Sequence, residues 1–117
     1  MKYILILAVL LLLTSVSLRA RPVVGIASFY HDRHEGRVMA NGERFTQSAL
    51  TCASNRWPLG TKLRIRHGIR EVVVTVTDRG PRNDLNRVVD LSKTAFRRLG
   101  PLKAGLLTVE VKVISKK

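Results

Sequence analysis

The strongest constraint on the fold is a β-branched run, Val72-Val73-Val74-Thr75-Val76-Thr77, which ends on Asp78 and turns at Gly80-Pro81. Side chains branched at Cβ are stiff about χ1 and pack well on a pleated surface, so the run reads as a strand. With a period of two, Val72, Val74, Val76 and Asp78 share one face while Val73, Thr75 and Thr77 share the other. The all-valine face belongs in a core, which places Asp78 where that core meets solvent. Partial burial there disfavours a charged carboxyl and suits a general acid. Aspartate is also a routine turn residue at strand ends, and the run by itself leaves both roles open.

The flanking chain carries more strands of the same kind. Val23–Tyr30 reads as a first strand whose small residues Gly25 and Ala27 allow close backbone approach. Leu50-Thr51-Cys52-Ala53 is a short apolar piece. Lys62-Leu63-Arg64-Ile65-Arg66 alternates cation and hydrophobe, with Gly68-Ile69 able to close a hairpin to the valine strand. Val88–Leu91 is a further strand, and Leu107–Val113 alternates cleanly with Leu107, Val109, Val111 and Val113 inward. Ser92 suits the N-cap of a short helix over 93–99, with Phe96 and Leu99 inward and Gly100-Pro101 ending it. Short strands joined by turns, with one small helix, indicate a small β-barrel.

Other features narrow the function classes. Ile4 to Leu13 is an unbroken apolar stretch behind Lys2, the pattern of a signal peptide over 1–20, with cleavage expected after Ser17 or Ala20 and an uncleaved anchor as the alternative. The folded domain is then expected over 22–117, exported to a periplasm or an extracellular cell wall. The formal net charge is +13, which calls for an anionic partner, and export favours cell-wall polymers over nucleic acid. Cys52 is the single cysteine, so no internal disulfide holds the fold, and burial is its expected fate. His31 and His34 flank Asp32 in a polar loop, but nothing places them on a helix and no metal site is expected. Phosphate loops and nucleophile elbows are absent, so no cofactor is expected either. Trp57 reads as core filling ahead of a stacking platform. A monomer is expected.

Several pieces taken together resemble the rare lipoprotein A family, a double-psi β-barrel domain related to expansins and barwin. They are Gly25-x-Ala27-Ser28-Phe29-Tyr30, Ala40-Asn41-Gly42-Glu43-x-Phe45, Leu50-Thr51, Pro58-Leu59-Gly60-Thr61, Asp78-Arg79-Gly80-Pro81, Arg87-Val88-Val89-Asp90-Leu91-Ser92 and Leu99-Gly100, in the family's order and spacing. The resemblance implies an all-β, six-stranded double-psi β-barrel with one or two short helices. It implies a peptidoglycan lytic transglycosylase that cuts the glycan backbone of stem-peptide-poor strands, with a non-catalytic, expansin-like wall-binding module as the alternative. On the matching positions, Asp78 becomes the catalytic acid with Glu43 in the same groove, and Tyr30, Thr51, Ser54, Arg79, Arg87 and Asp90 become substrate-binding residues. Charge alone adds Lys62, Arg64 and Arg66 to Arg79 and Arg87 as a cationic lining for anionic sugars. The chain departs from the pattern at Ser54, where the family usually carries histidine.

Overall fold

The computed structural model describes residues 21–82 and 86–115, so the expected signal peptide lies outside the described residues. The strands are β1 (Val23–Phe29), β2 (Thr51–Ala53), β3 (Lys62–His67), β4 (Arg70–Asp78), β5 (Arg87–Leu91) and β6 (Leu107–Ser115). A five-residue helix, α1 (Lys93–Arg97), and 3-10 turns at Asp32–His34 and Leu102–Ala104 accompany them. The strands close into a barrel in the order β1-β5-β2-β4-β3-β6. Pairs β1/β5 and β2/β4 run parallel and the rest antiparallel. Parallel neighbours cannot be joined by a hairpin, so the chain crosses over between them. The all-β, six-stranded barrel expected from the sequence is the fold observed.

Alternation decides what faces inward. In β3 and β4, Leu63, Ile65, Val72, Val74 and Val76 are buried while Lys62, Arg64, Arg66 and Val73 are exposed. Val89, Leu91, Val109 and Val111 meet them from β5 and β6. Cys52 fills the same core, and Trp57 packs half-buried on its margin. The Ser92 hydroxyl caps α1 by accepting from the Ala95 amide, and Phe96 meets Phe29 edge-on at 4.8 Å across the barrel mouth. Gly25 is demanded by packing, because a Cβ there would lie 2.5 Å from a Val88 methyl.

One expectation is corrected by the register. Cys52 pairs with Val76, yet Ala53 pairs with Asp78, so Thr77 is an extra residue in β4. Such a bulge interrupts the period of two. Asp78 therefore leaves the valine face and shares the face of Ala53, which belongs to a second, smaller cluster with Tyr30, Met39 and Phe45. Thr77 turns the same way, and its hydroxyl reaches the Met39 sulfur at 3.3 Å.

Residues 31–50 form a long connection that covers this second cluster. Gln47 anchors it: its side chain donates to the Tyr30 carbonyl (2.8 Å) and Asp32 (3.2 Å) and accepts from the Lys93 amide (2.8 Å). Lys93 also pairs with Asp32 at 2.9 Å, and the Ser92 hydroxyl donates to the Ala49 carbonyl. A connection this long stays in one conformation only when ties of this kind offset its chain entropy.

Candidate active site

Asp78 sits at the last position of β4, half-buried, and three donors converge on its carboxylate. The Tyr30 hydroxyl donates to Oδ2 at 2.7 Å, while the Ala40 and Arg79 amides each donate to Oδ1 at 2.9 Å. Among the described residues Asp78 has no ion-pair partner. Tyr30 is held by ring packing: Phe45 stacks on it at 4.1 Å and His34 meets its face edge-on at 5.6 Å. Burial, then the bond to Asp78, raises the proton affinity of its hydroxyl far above the ordinary phenol, so Tyr30 acts as a fixed donor.

A second carboxyl stands in the same row of the barrel. Ser28 pairs with Asp90 across β1/β5, Asp90 with Ala53 across β5/β2, and Ala53 with Asp78 across β2/β4. Two strand spacings separate the aspartates, roughly 10 Å between Cα atoms, with Ala53 on the strand between them. Burial pushes the Asp90 carboxyl up to about 6; the negative charge of Asp78 adds to this, while the Ser28 hydroxyl and Arg87 oppose it. The Ser28 hydroxyl donates to Asp90 at 3.3 Å and accepts from Arg87 Nη2 at 2.9 Å, so Arg87 acts on Asp90 through a serine. Asp90 thus carries a proton closer to neutrality than an ordinary carboxyl.

Two hollows open on the residues that flank Asp78 along the chain, Thr77 in one and Gly80 in the other. One, about 520 Å³, is lined by Asn41, Glu43, Leu59, Lys62 and residues 75–77. The other, about 230 Å³, is lined by Asn55, Arg56, Gly80, Pro81, Arg87 and Val88. Glu43 is exposed in the first, and its carboxylate accepts from the Asn41 side chain at 2.8 Å. The connection that carries it is the one whose Ala40 amide binds Asp78, which ties the two carboxylates to one segment. Thr51 lies half-buried beside Thr75 at the edge of the first hollow.

Other expected residues are placed differently. Ser54 is completely buried; its hydroxyl accepts from the Arg56 amide at 3.0 Å, and it offers no surface to a ligand. Arg79 is exposed, yet its Nη1 donates to the Ser54 and Trp57 carbonyls at 2.8 and 2.7 Å, which fixes the turn after β2. Arg64 and Arg66 point to another face of the barrel, where they meet Glu71 at 3.8 Å and Glu110 at 3.4 Å. Of the cationic lining read from charge, Lys62 and Arg87 border the groove, joined by Arg56.

Three contributors escaped sequence reasoning. His34 packs on Tyr30, and burial together with Arg37, Arg33 and His31 favours its neutral form, which the Asp78 charge opposes. Asn55 clamps the turn after Asp78, accepting from the Gly80 amide at 2.9 Å and donating to the Pro81 carbonyl at 3.0 Å. Gly80 takes φ +122° there, a conformation that excludes ordinary side chains. Gln47 is the third. Its only sequence signal is an isolated amide in a polar loop.

Comparison with known proteins follows this geometry. The family described as lytic transglycolase matches residues 23–111. A probable endolytic peptidoglycan transglycosylase RlpA from Nostoc sp. is 44% identical over 97 residues, which cover 79% of this chain and 26% of that protein. The endolytic peptidoglycan transglycosylase RlpA of Campylobacter jejuni is 39% identical over 92 residues, covering 77% of this chain and 33% of that protein. The chain therefore spans between a quarter and a third of these relatives' length. Among solved structures, the Streptomyces papain inhibitor superposes with a TM-score of 0.68 at 24% identity, covering 81% of this chain and 96% of that one. The Clavibacter michiganensis expansin superposes with a TM-score of 0.65 at 22% identity, covering 82% and 52%. Both carry the same fold. With a match that takes in every strand but the end of β6, and Asp78 with the residues that bind its carboxylate, the chain belongs to the lytic transglycolase family.

Proposed function

We propose that this domain cleaves the N-acetylmuramic acid–N-acetylglucosamine backbone of peptidoglycan by endolytic transglycosylation, on stem-peptide-poor strands in an exported, cell-wall compartment, as a monomer. The observation that carries this reading is a half-buried Asp78 with a fixed donor on its carboxylate, at a strand end whose chain neighbours Thr77 and Gly80 line two separate hollows. A polymer passing through occupies both hollows and presents an internal bond to Asp78. The names of the relatives support the same chemistry.

The reaction needs one group that works twice. Protonated Asp78 gives its proton to the bridging oxygen as the C1–O bond of N-acetylmuramic acid breaks. The resulting carboxylate takes the proton of that sugar's C6 hydroxyl while O6 bonds to C1, which closes a 1,6-anhydro ring and restores the acid. No water is consumed. Ordinary glycosidases instead use two carboxylates at set separations. Tyr30 and the Ala40 and Arg79 amides stabilise the carboxylate stage, Asp90 sets the field in which it forms, and Glu43 assists from the first hollow. Lys62, Arg56 and Arg87 attract the lactyl carboxylates of stripped strands.

Incubation with stripped glycan strands tests the reading. Transglycosylation yields fragments lighter by one water than the corresponding hydrolysis products, and new reducing ends would contradict it. The burial of Ser54, which leaves the groove without an imidazole at that point, favours a second reading: a non-catalytic wall-binding module. That module would retain the strands and leave their length distribution unchanged.

A further inference from the structure

The β3–β4 hairpin carries the most exposed large hydrophobe among the described residues. Ile69 is 100% exposed at its tip, between Gly68 and Arg70. A hollow of about 650 Å³ opens beneath it, lined by His67, Arg70, Arg97, Leu99 and Pro101. A neighbouring hollow adds Val24, itself 59% exposed, beside Gly68. Cations at this end outnumber anions. Arg70 and Arg97 have no carboxylate partner among the described residues, and Glu71 and Glu110 are engaged by Arg64 and Arg66. The His67 Nδ1 lies 2.7 Å from the Thr108 carbonyl, which fixes the ring against β6.

A wholly exposed aliphatic tip beside the guanidinium groups of Arg70 and Arg97 matches one kind of partner, an anionic lipid surface. The cations meet phosphate headgroups and the aliphatic side chain enters the acyl boundary. A soluble polyanion would use the same cations and gain nothing from Ile69. We propose that this end of the barrel is an interfacial docking surface for an anionic bilayer, with Ile69 as its inserted side chain and Arg70 and Arg97 on the headgroups. Asp78 is eight residues along β4 from Arg70, roughly 26 Å at strand rise. Docking through the hairpin would therefore leave the Asp78 groove pointing away from the lipid.

Residue-resolved NMR of the full chain on nanodiscs tests this whether or not residues 4–13 also bind lipid. The discs contain phosphatidylglycerol, phosphatidylcholine and a lipid with a paramagnetic headgroup. Amide signals of residues 67–70 and 97–100 should lose about half their intensity or more, while those of 41–43 and 78–80 keep theirs. Ile69→Asp, at a position that contacts nothing, should leave the lipid-free spectrum intact and abolish the attenuation at 67–70. Pure phosphatidylcholine discs should give no such pattern. Attenuation spread evenly over the barrel, attenuation centred on the groove, or a pattern indifferent to Ile69→Asp would overturn the proposal. So would soluble hexametaphosphate shifting the same amides in wild type and Ile69→Asp alike without a lipid response, which would mark an ionic site for polyanions.

Discussion

At the residue scale the groove is a problem of protons. Asp78 needs a partner that never ionises, and Tyr30 is one because burial and the adjacent carboxylate keep its hydroxyl protonated. Tyr30→Phe retains the stack on Phe45 and removes a single hydrogen bond, so turnover on glycan strands should fall ten- to a hundredfold with the fold intact, as read by product release. Asp90 gives a different signature. Its folded carboxyl titrates near 6 against an ordinary 3.8, so the stability it contributes is present below the ordinary value and is lost as pH rises through about 6. Asp90→Asn should therefore match wild type at pH about 4 and exceed it at pH about 7.5, by at most roughly 3 kcal/mol in urea titrations. Equal differences at both pH values would contradict this. The valine run made Asp78 legible as a carboxyl at a strand end, whereas Asp90, in the short strand Val88–Leu91, was legible only through the family resemblance, as a substrate-binding position. Only the row that sets Asp90 across Ala53 from Asp78 reveals it as a carboxyl that burial raises.

At the element scale, alternation made β3 and β6 readable, since each sets hydrophobes against polar or charged residues at a period of two, and Cβ-branching made β4 readable. The bulge at Thr77 was not readable. Nothing in Val-Thr-Asp distinguishes a regular strand from one with an extra residue; the parallel partner β2 imposes it. The ordering of residues 31–50 was also hidden, because it rests on Gln47, a residue type common in any polar loop. Gln47→Ala strands the Tyr30 carbonyl and the Lys93 amide without their partner, a loss of about 1–3 kcal/mol. The loss should be local. Hydrogen exchange at Ala40, whose amide binds Asp78, should accelerate at least fivefold while amides of β3 and β4 keep their protection, and activity should fall with it. Unchanged exchange at Ala40 would show that the connection is held without Gln47.

At the scale of the whole molecule, the net charge of +13 predicted an anionic partner but not where it would sit. Folding divides the cations: Lys62, Arg56 and Arg87 border the groove, Arg64 and Arg66 are neutralised on a lateral face, and Arg70 and Arg97 gather at the hairpin end. Retention on stripped glycan strands should accordingly weaken as salt rises from about 0.1 M to 1 M, where the screening length falls from about 10 Å to about 3 Å. Salt-independent retention in a pull-down would rule out the cationic groove as the source of affinity. The central claim rests on one carboxyl, and mass spectrometry of products from stripped strands, wild type against Asp78→Asn, tests it most directly. Fragments ending in 1,6-anhydro-N-acetylmuramic acid should appear with wild type and vanish with Asp78→Asn, whose thermal unfolding remains cooperative; undiminished anhydro products from the variant would contradict the account.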